Sequence, residues 1–177
     1  MSTAAKGIWI GAIGLCLISP ATSSAESDSK TVRVSATILP RLELSVTPET
    51  GQEIAFGAIE QSPRGESVER SVKVHVNVFS NLDHPYHVTQ TVRRDLTNAD
   101  GRVIPEQQFH LTTRDAVRGS LGAPAPVAVV AGAVTTLYTS DERGKSDAFS
   151  ADYGLTVTPE TPAGDFDTEI VYTVTSL

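Results

Sequence analysis

Residues 31–46, TVRVSATILPRLELSV, carry seven apolar side chains at even positions: Val32, Val34, Ala36 and Ile38, then Leu42, Leu44 and Val46. Arg33, Ser35, Thr37, Arg41, Glu43 and Ser45 stand between them. Successive side chains of a strand point to opposite faces, so this two-residue period places the whole apolar set on one side. Leu39 is out of phase, and Pro40 lacks the amide hydrogen that a paired central strand requires. The run therefore predicts two strands of shared phase joined at a break, and the first of them is free to pair with something different from the second.

The same period recurs downstream. In residues 68–79, Val72, Val74, Val76 and Val78 alternate with Ser71, Lys73, His75 and Asn77, the most regular strand pattern in the chain and an expected central strand. Further strands are predicted at Tyr86, Val88 and Val92, at Val103 and Ile104, and at Phe109, His110 and Leu111. Residues 127–130 and 134–138 follow, then Phe149, Ala151, Tyr153, Leu155 and Val157, and last Ile170, Tyr172 and Val174. Ile54, Phe56 and Ile59, broken by Gly57, predict a short bent strand, and the Gly, Ala and Pro of residues 119–126 predict a loop. Turn formers cluster at residues 47–51, 61–66, 80–85, 98–101, 141–147 and 159–164. Apolar residues nowhere recur at helical spacing over a dozen positions, so helices are expected to be short or absent. Short strands at regular intervals predict an all-β fold, an immunoglobulin-like antiparallel β-sandwich, with a closed barrel as the alternative.

The first residues belong to a different kind of segment. Lys6, an apolar run over residues 7–18, Pro20 and the Ser23-Ser24-Ala25 ending predict a secretory signal peptide over residues 1–25. Its apolar run is short for a bilayer, and no later segment approaches the roughly 20 apolar residues of a spanning helix, so no membrane insertion is expected after processing. Cys16 is preceded by Leu15 and sits inside the apolar run, which argues against a lipidation signal. Cleavage removes that single cysteine and the single tryptophan, Trp9, so no disulfide framework is expected. Residues 26–39 then form an N-terminal extension and residues 40–177 one domain. The formal net charge of the full chain is −7, and loss of Lys6 makes the processed chain more acidic. Nucleic acid and anionic membrane surfaces are disfavoured as partners.

Candidate chemistry is sparse. His84 and His87, with Asp83 beside them, crowd together, but they are an odd number apart and point to opposite faces of a strand, while His75 and His110 are distant in sequence. A zinc site wants three or four convergent ligands, so exposed turn histidines are expected and no metal or cofactor. Residues 95–101, DLTNADG, lack the oxygen ligands and bidentate Glu of a calcium loop and are read as a turn. There is no GxSxG elbow, and Asp165 and Asp167 flank a turn where solvated acids are the ordinary outcome, so no enzyme activity is expected. Arg93 and Arg94, beside Asp95, read as a solvated strand end rather than an anion site, and Tyr86, Tyr138, Tyr153 and Tyr172 as core or groove packing rather than a sugar-stacking platform.

Lys30 followed by Val32, Val34, Ala36, Ile38, Pro40, Leu42 and Leu44 resembles the mature N-terminus of major subunits of the alternate-chaperone fimbriae, the colonisation-factor pili of enteric bacteria. Pro162-Ala163-Gly164-Asp165-Phe166 with Ile170, Tyr172 and Val174 is similar to their last strand and to that of the spore-coat-U-like pilins. The two matching ends cover about a quarter of the chain. The resemblance implies an incomplete sandwich finished by the N-terminal extension of the next subunit. Val32, Val34, Ala36 and Ile38 are then the donor strand, and Leu42, Leu44, Val46, Ile170, Tyr172 and Val174 candidate walls of the acceptor groove. It also implies like subunits in a head-to-tail fibre, a periplasmic chaperone, an outer-membrane usher, and a final location at the cell surface. The competing expectation is a monomeric secreted or periplasmic binding domain in which residues 32–38 pair within their own sandwich.

Overall fold

The computed structural model describes residues 30–177. The expected signal peptide and residues 26–29 lie outside the described residues. The chain divides after Thr37 into two units. Of the first, residues 30–37 are described; they form no strand, and Val32 and Val34 are 82% and 89% exposed. A strand needs a partner to pair its amides, and none of the described pairings includes residues 30–37.

The second unit, Ile38–Leu177, is all β apart from one 3₁₀ turn at Glu106–Gln108. Its strands are β1 (Leu42–Pro48), β2 (Val68–Ser80), β3 (Tyr86–Val92), β4 (Thr97–Asn98), β5 (Phe109–Arg114) and β6 (Ser120–Leu121). They continue with β7 (Val127–Ala128), β8 (Val134–Thr139), β9 (Asp147–Val157), β10 (Phe166–Asp167) and β11 (Ile170–Ser176). One sheet has the order β1-β2-β9-β5-β7, the other β11-β3-β8-β6, and β10 pairs β4. All pairings between these strands are antiparallel, and the two large sheets pack as a sandwich. The neighbours β1-β2-β9-β5 and β3-β11 match A-B-E-D and C-F of the immunoglobulin arrangement.

The regular alternation of β2 lies at the centre of this architecture. Val74 and Val76 are fully buried and Val72 and Val78 nearly so, while Ser71, His75, Asn77 and Phe79 face outward. In register, Val76 lies between Val46 of β1 and Phe149 of β9. β9 is buried along most of its length because it has β2 on one side and β5 on the other. From the second sheet, Tyr138 stacks on Phe149 with ring centroids 5.2 Å apart, and Tyr86 lies 6.0 Å from Tyr138.

Asp147 fastens the start of β9 to the loop before β6. Its Oδ2 accepts hydrogen bonds from the Tyr138 hydroxyl at 2.7 Å and from the backbone amides of Arg118 and Gly119 at 2.8 and 3.3 Å. Partial burial pushes the Asp147 carboxyl upward, but these bonds, with that from the Ala148 amide, outweigh it and hold the group below its ordinary value of 3.8. A carboxyl whose folded pKa is depressed adds stability that is present above the ordinary pKa and is lost as pH falls through the folded one. Asp147→Asn is therefore expected to melt below the unmutated protein at pH 7, the difference shrinking as pH falls below 3.8. Melting temperatures of both proteins across that range check this, and a constant difference would exclude the carboxylate as its source.

Three expectations need correction. Residues 54–59 form no strand: Gly57 has φ +69°, which breaks the extended phase, and the segment joins no ladder. Val103 and Ile104 make only an isolated bridge, Val103 to Thr97, because the tight turn at residues 98–101 leaves no length for a hairpin. The Gly- and Pro-rich residues 119–126 contain a two-residue strand, β6, whose pairing with β8 requires the small Gly119 and Gly122. A Cβ on Gly122 would stand 2.0 Å from the Thr136 carbonyl oxygen, so the glycine that marks a loop in sequence here permits close approach of two strands.

Candidate functional site

The site is the seam where the two sheets meet at β1 and β11. Each is the outermost strand of its sheet, and among the described residues neither has a strand on its outer side. In the immunoglobulin arrangement a G strand would flank β11, the F equivalent. The alternation of both edges is read directly from sequence: Leu42, Leu44 and Val46 on β1, and Ile170, Tyr172 and Val174 on β11, are half-buried and pack against the core. They remain half-buried where the matching residues of the inner strands are buried, because no strand covers their open flank.

A cavity of about 1140 Å³ opens at one end of this seam. Of the six candidate groove residues, Val46, Ile170 and Tyr172 line it, whereas Leu42, Leu44 and Val174 do not. It is also lined by Leu96 and by Ile104, Phe109, Leu155 and Val157, which the sequence marks as strand positions but not as groove residues. Their apolar character does not distinguish a cavity wall from ordinary core. Phe56, from the segment between β1 and β2, meets Phe109 edge to face with centroids 6.1 Å apart.

Polar groups line the cavity beside the apolar ones. The Tyr172 hydroxyl lies 2.6 Å from that of Tyr153, which donates to Gln90 Oε1 of β3, so Tyr172 of the edge strand is tied to both sheets. Burial pushes the Tyr172 hydroxyl up to about 12 and also raises that of Tyr153 well above its ordinary value, so both are neutral hydrogen-bonding groups at physiological pH. The rim is acidic: Glu53, Asp165, Asp167 and Glu169 border it. Asp167 and Glu169 are paired with Arg94 and Arg93, whereas among the described residues Glu53 and Asp165 have no ion-pair partner.

The residues of the expected donor strand are Val32, Val34, Ala36 and Ile38, all exposed; Ile38, at 84%, begins the second unit. Directly after it the chain is clipped to the sandwich, since the Asn81 side chain donates to the Leu39 carbonyl and accepts from the Arg41 amide. His84 is exposed in the bend before β3 and His87 half-buried within it, and among the described residues no three His, Cys, Asp or Glu converge on a point. Asn98 accepts the Asp100 and Arg102 amides and thereby builds the turn at residues 98–101. Comparison with known proteins assigns no family: no family model matches the chain, and no curated protein matches it.

Proposed function

We propose that this protein is a structural subunit of a cell-surface fimbria, assembled by donor-strand exchange through a chaperone-usher pathway and contributing to adhesion. The observation that carries the proposal is the pair of open edges, β1 and β11, bordering a cavity with an apolar wall and an acidic rim, in a chain that also presents the exposed alternation Val32, Val34, Ala36, Ile38. Open edges and exposed apolar strands are aggregation hazards that a soluble protein ordinarily covers. A strand entering the seam would pair its main chain with β11 and set alternate side chains against the core. Residues 32–38 of a second copy have the required period, and Lys30 and Arg33 complement the acidic rim at Glu53 and Asp165. A head-to-tail contact of this kind does not close on itself and propagates as a filament. In this scheme a periplasmic chaperone covers the seam during transit and an outer-membrane usher is the exit. The subunit needs no cofactor and no catalytic residue.

Val34→Asp tests the proposal. The unmutated chain is expected to form polymers on gel filtration as concentration rises. The variant is expected to remain monomeric while its melting changes by no more than roughly 1–2 °C, as for a surface substitution. An unmutated chain that stays monomeric at every concentration, with a collapsed melting temperature for Val34→Asp, would overturn the fibre and leave the monomeric binding domain.

A further inference from the structure

Residues 52–61, between β1 and β2, have the construction of a strap. Both ends are anchored by polar contacts. At one end the Thr50 hydroxyl donates to the Glu53 carbonyl at 2.5 Å and accepts the Ala55 amide at 3.3 Å; at the other, Gln61 Nε2 donates to the carbonyls of Thr158 and Thr161 at 3.1 and 2.7 Å. Between the anchors, residues 56–60 make no main-chain hydrogen bond among the described residues. The middle is held by Ile54, Phe56 and Ile59, which are only half-buried. Gly57, at φ +69° and with no atom within 4 Å of where a Cβ would stand, is a pivot with free space around it. Segments with few buried contacts and no ladder open at low free-energy cost.

This strap lines the same cavity as Ile170 and Tyr172. Protein interiors are close-packed, so apolar walls of this extent are covered either by an inserted strand or by inward movement of whatever lies beside them. We infer that residues 52–61 are a two-position gate. The structure, with no strand in the seam, has the strap lining an open cavity; in the other position Ile54, Phe56 and Ile59 close over the cavity wall and shield it. An incoming strand, here residues 31–39 of a second copy, must hold them outward, so the strap sets the rate of strand uptake. This inference rests on the donor-strand proposal and adds to it a kinetic control within the accepting subunit.

The test uses the full chain carrying Val34→Asp, which is disabled as a donor, and a fluorescent synthetic peptide of residues 31–39 as probe. Uptake is followed by anisotropy with and without a second substitution, Phe56→Ser or Gln61→Ala. Phe56→Ser removes the central apolar contact, and Gln61→Ala releases an exposed anchor without touching the core. Both are expected to speed uptake, on the order of tenfold, the factor that a change of ~1.4 kcal/mol in a barrier produces. Should Phe56→Ser fail to melt cooperatively, Gln61→Ala decides alone. Peptide uptake that is unchanged or slowed by Gln61→Ala would overturn the gate while leaving donor-strand exchange standing. Absence of peptide binding to every variant would overturn both.

Discussion

Val76→Asp is expected to abolish cooperative folding. Val76 has no exposed surface and occupies the middle of β2, paired in register with Val46 on one side and Phe149 on the other. An aspartate there has no cation or amide to meet, because the surrounding core is Val, Leu, Phe and Tyr. The cost is the lost burial of the valine, about 1.5–3 kcal/mol, plus burial of a carboxyl group that stays neutral only at the cost of a strongly raised pKa. The sum approaches the whole stability of an ordinary domain, ~5–15 kcal/mol. Asn77→Asp, one residue later on the exposed face, is the matched control and is expected to stay within about 0.5 kcal/mol of the unmutated protein. Circular dichroism melting of the two variants checks the assignment of faces. Normal melting of Val76→Asp would show that this side of β2 is not the core.

Gly144→Ala is expected to destabilise the sandwich by about 3 kcal/mol, through left-handed backbone strain and a steric clash together. Gly144 closes the loop between β8 and β9 at φ +55°, and a Cβ there would stand 1.9 Å from the His84 carbonyl oxygen. That oxygen belongs to the backbone just ahead of β3, so it cannot yield by a side-chain rotation. Gly101→Ala separates the two contributions. Gly101 has φ +76° and no atom within 4 Å of its would-be Cβ, so it carries the backbone strain alone, about 1 kcal/mol. For a chain of this size the difference between the variants corresponds to roughly 4–8 °C in melting temperature. Equal shifts in the two would mean that the His84 backbone moves aside.

The fold class was legible because a period of two in β1, β2, β3, β9 and β11 leaves no other regular structure able to bury the apolar set on one face. It held in β1, β2, β3, β9 and β11, as at Val72, Val74, Val76 and Val78, but not at Val32, Val34, Ala36 and Ile38, which form no strand. It failed at Ile54, Phe56 and Ile59, where Gly57 breaks the phase and the backbone finds no ladder. It also missed β4, β6 and β10, two-residue strands that exist only because a distant partner lies alongside. Pairs such as Gly122 with Thr136 depend on how closely two backbones approach, which no local pattern encodes.

The candidate site divides along the same line. Which residues of β1 and β11 face inward was determined by the sequence alone, since the side-chain alternation of a strand is intrinsic to its backbone. That these two strands became the unpaired edges of opposite sheets, with Phe109, Leu155 and Val157 behind a cavity and Phe56 at its side, was decided only by the tertiary structure. An edge is defined by the neighbour a strand lacks, and strand neighbours are chosen by long-range packing across the whole chain, which a local hydrophobic period does not specify.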